Sequence, residues 1–252
     1  MTNRDDDFRS EKKLTDPKET IWQHLNELRR VLLISVIAVL VSFVVVFMFF
    51  SENLVIFFSR PLLEHGVDII HIGLAEPFMV QMRVAFVVGF VLASPIVVWQ
   101  IWSFLRPALL PKERVTFRSV FLISMLLFIV GVLFAYAYVF GITVSFFLLI
   151  GENLATPQIS LDMYLGMLLT FVIPFGLAFQ FPVIVYFLHR LGIVKIDGLR
   201  KKRKYVVFAI CVIAALITPP DLLSKIMLVI PMCLLYEISI IFLRMTTSRK
   251  KA

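Results

Sequence analysis

Long apolar runs without charged residues, separated by shorter polar segments, make up most of the chain. A helix of about 20 residues, rising about 1.5 Å per residue, crosses the hydrocarbon core of a bilayer. The pattern therefore predicts an all-α, polytopic membrane protein whose single six-helix domain covers residues 31–243. The six predicted transmembrane spans are residues 31–50, 84–105, 119–150, 164–188, 205–220 and 222–243.

Two polar tails flank this domain, residues 1–30 and residues 244–252. Near the end of the first tail, Thr15-Asp16-Pro17 resembles a helix start, because a capping residue precedes a proline. The fifth span, residues 205–220, would give only about 24 Å of helix, which is less than the hydrocarbon thickness.

Prolines predict irregularities in the helices. Arg60-Pro61 and Glu76-Pro77 are expected to break the segment between the first two spans. Four prolines lie in the interior of three predicted spans and predict kinks there, because proline removes a backbone hydrogen bond. These are Pro95, Pro174, Pro182 and Pro231.

The positive charges predict the orientation. Of the 25 lysines and arginines, 22 lie in the two tails and in residues 106–118 and 190–204, and only Arg60, Arg83 and Lys225 lie elsewhere. Basic residues accumulate on the cytoplasmic side of membrane proteins, so both termini are expected in the cytoplasm. This distribution explains the net charge of +8 without a nucleic-acid partner.

The composition excludes several classes of protein. The chain has 252 residues, of which 60% are hydrophobic and 17% charged, whereas soluble domains have about 45–50% and about 25%. An ordinary soluble enzyme, a disordered protein and a secreted disulfide scaffold are therefore excluded. Cys211 and Cys233 lie in apolar runs and are predicted to be small buried hydrophobic residues rather than a redox pair.

No motif of an enzyme is present. The sequence has no zinc-protease motif, phosphate-binding loop or serine nucleophile motif, and its four histidines are scattered. We therefore predict no catalytic residue, no metal site and no cofactor.

Polar residues inside the spans are the first candidates for function. Glu237 lies in the last span, where an acidic group should face protein or water or be protonated. Gln180 lies beside Pro182 in the fourth span, where it can form hydrogen bonds between helices. For both, a structural hydrogen bond and a docking site for another membrane helix are open alternatives.

Two carboxylates on the basic face are the second candidates. Glu27 directly precedes the first span, and Glu113 lies in the loop after the second. One interpretation is local pairing with Arg30 and Arg114. The other is a receptor for a cationic ligand.

Together these features resemble the TatC family of the twin-arginine protein translocase, from about residue 20 to residue 244. The resemblance depends on an ordered set of motifs at matching spacing. These are His24-Leu25-x-Glu27-Leu28-Arg29, Pro61-Leu62, Ser94-Pro95, Gln100-x-Trp102-x-Phe104-x-x-Pro107, Glu113-Arg114, Phe175-Gly176-x-x-Phe179-Gln180-x-Pro182, Arg200-Lys201-x-Arg203-Lys204-Tyr205, Thr218-Pro219-Pro220-Asp221, Ile230-Pro231 and Tyr236-Glu237.

The resemblance implies a receptor in a bacterial plasma membrane, with a concave, glove-like arrangement of helices. Such a receptor binds the twin-arginine signal peptides of folded precursors at the cytoplasmic face. It assembles with TatA-type and TatB-type single-span proteins, and with further copies of itself, for export driven by the protonmotive force.

The resemblance also implies roles for particular residues. Glu27 and Glu113 would recognise the paired arginines, and Leu25, Arg29, Phe104 and Pro107 would form the rest of this site. Gln180, Pro182 and Glu237 would dock a partner helix or form a polar site within the membrane, although many members have a glutamate at the position of Gln180. The residues implied in structural loops are Pro61, Pro219, Pro220 and Asp221.

Two other functions are alternatives to this receptor. A small-solute transporter would need a substrate site near the middle of the membrane, for which Gln180 and Glu237 are the candidates. A passive assembly scaffold would bind no signal peptide of any sequence.

Overall fold

The computed structural model describes residues 17–64, 67, 69–105, 117–151, 158–190, 194, 196–217 and 222–248. Nearly all of these residues are helical. This follows from the long apolar runs, because a segment in lipid must satisfy its backbone hydrogen bonds internally.

The helices and strands are defined here in chain order. They are α1 (Pro17–Phe49), α2 (Ser51–Glu64), β1 (Ile69–Ile70), α3 (Glu76–Leu105), α4 (Phe117–Phe134), a π-helical segment (Ala135–Phe140), α5 (Gly141–Gly151), β2 (Ile159–Ser160), α6 (Leu161–Ala178), α7 (Phe181–Arg190), α8 (Ile196–Lys201), α9 (Arg203–Ile217) and α10 (Leu222–Ser248).

The segment between the first two predicted spans contains an unexpected helix. α2 continues through Pro61, so the break expected at Arg60-Pro61 and the assignment of Pro61 to a loop are both wrong. The carbonyl group that Pro61 leaves without its helical partner belongs to Phe57, and Phe57 is exposed. Glu76-Pro77 does mark a boundary, because α3 begins there.

Of the four prolines that predict kinks, all of which lie in the described residues, only Pro182 lies beside an interruption of the helix. α3, α6 and α10 continue through Pro95, Pro174 and Pro231. Beside Pro182 the chain leaves the helical conformation for two residues, between the end of α6 and the start of α7.

Helix α6 is the centre of the main hydrophobic core. Leu165, Leu168, Phe171 and Phe175 are all fully buried on it, and the core also includes residues of α3 and the π-helical segment. The approach of α4 to α6 is close, since a Cβ atom on Gly176 would lie 2.7 Å from the ring of Phe128 in α4.

Helices α1 and α3 form an antiparallel pair. Phe43 contacts Phe86 with ring centroids 6.2 Å apart, and Phe47, one turn later in α1, contacts Phe78, two turns earlier in α3. The two backbones touch at Gly89, where a Cβ atom would lie only 2.8 Å from the backbone nitrogen of Phe43.

The first turn of α3, at Glu76, contacts the start of α6. β1 and β2 pair in parallel, with Ile69 opposite Ile159. The Glu76 carboxylate accepts hydrogen bonds from the hydroxyl of Ser160 at 2.5 Å and from the backbone N–H of Asp162 at 3.0 Å. These contacts hold the two connecting segments together at one end of the helices.

Five helical stretches of the described residues are long and apolar enough to cross a membrane. They are Leu25–Phe49, Glu76–Phe104, Arg118–Gly151, Leu161–Arg190 and Ser224–Ile241. Helix α9 has 15 residues and spans about 22 Å, so it is shorter than a typical crossing. The chain is a multi-pass helical membrane protein, and the sixth crossing stays a prediction.

Both cysteines carry free thiols. Cys233 is partly buried, but Cys211 is exposed on α9, so the prediction that it is buried is wrong. In a membrane helix an apolar side chain can face either lipid or the protein interior, so an apolar run alone does not predict that Cys211 is buried.

Candidate functional site

Three of the predicted binding residues lie in α1, just before its uncharged run. Leu25, Glu27 and Arg29 are all exposed, as is each side chain from residue 25 to residue 30. The Leu25 side chain is 50% exposed. The carboxylate of Glu27 therefore lies on a surface that a ligand can reach.

Phe104, a fourth predicted binding residue, lies at the same end of the α1–α3 pair. Gly89 lies against Phe43, and both helices rise about 1.5 Å per residue in opposite directions. Fifteen residues along α3 from Gly89 is Phe104, and fifteen residues back along α1 from Phe43 is Leu28. Phe104 is thus level with the segment that carries Glu27.

A small aromatic cluster supports this end of α3. Trp102 is 6% exposed and packs edge-to-face on Phe187 of α7, with ring centroids 5.1 Å apart. Val98 and Val183 complete the buried cluster. The ends of α3 and α7 therefore lie side by side, and this packing supports the last turn of α3, which carries Phe104.

The remaining members of the predicted site lie outside the described residues. These are Glu113 and Pro107, which belong to the predicted signal-peptide site, and Pro219, Pro220 and Asp221, which were assigned to a structural loop. Their predicted roles stay predictions.

Gln180 lies in the break between α6 and α7 and binds Ser124 of α4. The Gln180 side-chain N–H donates to the Ser124 carbonyl at 2.8 Å, and its side-chain oxygen accepts from the Ser124 hydroxyl. Both ends of the Gln180 amide group are therefore used within the chain. This pair connects α4 to the break.

Glu237 forms an ion pair with Arg203, the first residue of α9. The Arg203 guanidinium donates to the Glu237 carboxylate at 2.8 Å. The side chains of Arg203 and Glu237 are 45% and 42% exposed. Beside it, the buried Tyr236 hydroxyl donates to the Leu199 carbonyl at 2.8 Å. Glu237 is thus level with the basic end of α9.

A groove runs between α4, α7 and α10. Its volume is about 550 Å³, and we call it the Pro182 groove. Its lining is mostly apolar and includes Ile123, Leu127, Pro182, Tyr186, Ile238 and Ser239. Pro182 contributes directly to this surface, whereas the Gln180 amide binds Ser124 beside it.

Two residues that hold the predicted candidates were missed by sequence reasoning. Ser124 is an ordinary serine within an apolar run, and Arg203 is one of several basic residues in a loop. No local signal distinguishes them, because their partners are distant in sequence. Among the described residues, no group of three or more histidine, cysteine, aspartate or glutamate side chains could hold a metal ion.

Comparison with known proteins gives one consistent result. The family model described as Sec-independent protein translocase protein (TatC) matches residues 23–231. A TatC protein of Carboxydothermus hydrogenoformans is 37% identical over 228 residues, covering 90% of this chain and 93% of the relative. TatCy of Bacillus subtilis is 41% identical over 223 residues, covering 88% and 87%.

A solved structure shows the same fold. A crystal structure described as the twin-arginine translocase receptor TatC superposes with a TM-score of 0.81 at 37% identity, covering 89% of this chain and 99% of that chain.

We predict that Ser124 and Gln180 stabilise the chain as a coupled pair. In a double-mutant cycle with Ser124→Ala and Gln180→Leu, the coupling energy should be about 0.6–1.7 kcal/mol, between the average and the largest value found in such cycles for membrane helices. The cycle reports the bond from the Ser124 hydroxyl, because alanine keeps the backbone carbonyl. Unfolding in mixed detergent micelles measures it. Ser119→Ala paired with Gln180→Leu is the matched control, and an equal coupling energy in that cycle would contradict the prediction.

Proposed function

The chain belongs to the TatC family of Sec-independent protein translocase proteins, and we propose that within the translocase it is the receptor for signal peptides that carry paired arginines. It is a transport protein of the membrane and not an enzyme. The observation that carries the receptor proposal is the exposure of Glu27 at the start of the membrane domain, level with Phe104.

The chemistry of this end of the protein supports the proposal. An arginine guanidinium is a planar group that a carboxylate binds through two parallel hydrogen bonds, whereas a lysine ammonium is a point charge. Two separate carboxylates, Glu27 and Glu113, can therefore distinguish paired arginines from paired lysines. The surrounding basic residues repel other cations and confine attraction to these two positions.

Apolar residues beside the carboxylates would bind the rest of the signal peptide. Leu25 is half exposed and precedes Glu27 by two residues. Phe104 is partly exposed at the same level. Pro107 follows Phe104 by three residues. We propose that these three side chains form the apolar part of the site and that Arg29 borders it.

Glu27→Gln should weaken binding of a paired-arginine signal peptide by about 10- to 100-fold, because hydrogen bonds to charged groups contribute about 1.5–3 kcal/mol. Photo-crosslinking of a labelled peptide to the chain in membrane vesicles measures this. Glu113→Gln should have the same effect.

The matched control is Glu52→Gln, the same chemical change in the first turn of α2, at the opposite end of α1. It should leave crosslinking unchanged. Equal crosslinking of a paired-lysine peptide and a paired-arginine peptide to the unaltered chain would contradict the proposed recognition.

We propose that the chain crosses the membrane six times, with both termini in the cytoplasm. The supporting observation is that α9 begins among exposed basic residues, Lys201 to Lys204, and ends near the exposed Leu222. A helix of 15 residues can cross if the bilayer thins locally, at a modest cost per ångström of mismatch.

Labelling of single cysteines tests this topology, in a chain whose Cys211 and Cys233 are replaced by alanine. With a membrane-impermeant maleimide on intact cells, Leu222→Cys should react and Lys202→Cys should react only after permeabilisation. Leu74→Cys, at a fully exposed residue before α3, is the positive control. Equal reactivity of the Leu222→Cys and Lys202→Cys chains would show that α9 does not cross.

We propose that the Pro182 groove binds the transmembrane helix of a TatA-type or TatB-type partner. The groove is apolar, and hydrophobic residues on its rim, including Ile123 and Ile238, are exposed. A single-span helix can bury its side chains against such a surface. Gln180 and Ser124 would keep the break beside Pro182 in the shape that the partner meets.

Filling this groove should reduce partner binding. Ile238→Trp places a bulky ring in the groove and should lower co-purification of a TatA-type protein in mild detergent at least several-fold. Leu234→Trp is the matched control, because Leu234 is equally exposed one turn earlier on α10 and does not line the groove. Equal losses from the two variants would contradict docking at this position.

The same proposal includes several copies of this chain in the assembled translocase and a dependence of export on the protonmotive force. The transporter alternative loses its support, since its two candidates, Gln180 and Glu237, bind Ser124 and Arg203 within the chain.

A further inference from the structure

A second groove lies between α1, α3 and α6, away from the Pro182 groove and from Glu27. Its volume is about 480 Å³ and it is open to the surface, which is within the range of sites that bind small molecules. We call it the Arg83 groove. The residues of its lining that matter here are Phe43, Arg83, Phe86, Gly166, Leu169 and Thr170.

The Arg83 groove lies at the end of the membrane domain opposite to Glu27. Arg83 follows Glu76, the first residue of α3, by two helical turns, and directly precedes the uncharged run that begins at Val84. Its guanidinium is therefore at the depth where the headgroups of a bilayer meet the acyl chains. The groove extends from there into the apolar region.

Arg83 has one ionic partner among the described residues. Its Nη1 atom lies 2.5 Å from the Oδ1 atom of Asp162, and the two side chains are 52% and 37% exposed. A guanidinium carries five N–H donors, so this contact leaves donors for a second anion. Because the Arg83 side chain remains 52% exposed beside Asp162, the carboxylate competes with such an anion but does not block it.

The wall below Arg83 is apolar. Phe43, Phe86 and Leu169 provide hydrophobic surface, and the hydroxyl of Thr170 donates to the backbone carbonyl of Gly166 at 2.8 Å. A Cβ atom on Gly166 would make an ordinary van der Waals contact with Arg83 Nη1 at 3.7 Å, so the guanidinium lies directly over this glycine. One cationic group thus lies at the mouth of a groove that is otherwise hydrophobic.

We propose that the Arg83 groove binds one anionic phospholipid, with its phosphate at the Arg83 guanidinium and an acyl chain along Phe43, Phe86 and Leu169. The charge and the apolar wall together are complementary to this class of ligand, and basic pockets between membrane helices bind lipid headgroups. A free phosphate ion would use the guanidinium alone. A partner helix would bury the charge against an apolar side chain, which is unfavourable in lipid.

Native mass spectrometry of the purified full chain in detergent tests the proposal. The probes are phosphatidylglycerol and phosphatidylcholine with identical acyl chains, each added at increasing concentration. Both lipids offer a phosphate, but the choline ammonium cancels the net charge of phosphatidylcholine. We therefore expect the first phosphatidylglycerol to bind about fivefold more tightly than phosphatidylcholine. Equal retention of the two lipids would overturn the proposal.

Three variants separate the contributions. Arg83→Gln should abolish the preference for phosphatidylglycerol. Gly166→Leu should abolish tight binding without removing the arginine, because the new side chain extends into the groove beside the guanidinium. Asp162→Asn should increase the affinity for phosphatidylglycerol several-fold, because it removes the competing carboxylate. Arg60→Gln, which alters an exposed arginine on α2, and Gly141→Leu, at a helical glycine with open space around it, are the matched controls.

The variants distinguish lipid binding in the groove from attraction of the lipid to a surface charge. Loss of binding in the Arg83→Gln chain with full retention in the Gly166→Leu chain would show attraction to a surface charge alone and would overturn the groove. An equal loss in the Arg60→Gln chain, or complete displacement of the lipid by inorganic phosphate, would overturn it as well. If the Arg83→Gln chain fails to fold, the opposite effects expected for Gly166→Leu and Asp162→Asn still test the site.

Discussion

A bilayer offers no hydrogen bonds to the side chains and backbone that it surrounds, and most of this fold follows from that constraint. Each described polar group of the spans needs a partner in the protein, and a lone one would cost several kcal/mol. Gln180 binds Ser124, Glu237 binds Arg203, and Arg83 binds Asp162. The first pair joins the break between α6 and α7 to α4, and the other two lie near the ends of the spans and join α10 to α9 and α3 to α6. The polar residues thus fix which helices are neighbours, while the apolar contacts between them are less selective in lipid.

Close contact between helices gives the rest of the stability. In lipid the driving force for helix association is packing rather than the removal of apolar surface from water. Gly89 lets α1 touch α3, and Gly176 lets α4 touch α6, because no side chain separates the backbones there. The break beside Pro182 then becomes possible, since Ser124 on the closely packed α4 can reach Gln180. Small residues and polar pairs therefore act together around α6.

The helical fold could be predicted from the sequence, because a long uncharged run has few alternatives to a membrane helix. The exposed start of α1 that carries Glu27 could also be predicted, since charged residues directly before an uncharged run lie at the membrane surface. The role of Glu27 stays a prediction. The pairs that hold the candidates could not be predicted. Arg83 and Asp162 are 79 residues apart, and Ser124 and Gln180 are 56 apart. The break predicted at Pro61 was wrong because a helix tolerates a proline when the carbonyl left without a donor belongs to an exposed residue, here Phe57.

The same physical rule distinguishes the carboxylates of this chain by what they can do. Glu237 and Asp162 each face an arginine of the chain, and Glu76 accepts hydrogen bonds from the start of α6. These acidic groups hold helices together, so replacing one would be felt first in stability. Glu27 lies on an exposed stretch of α1 where a ligand can approach. In the proposed receptor, stability and recognition would depend on different acidic residues, so that the recognition site could be altered while the fold is kept.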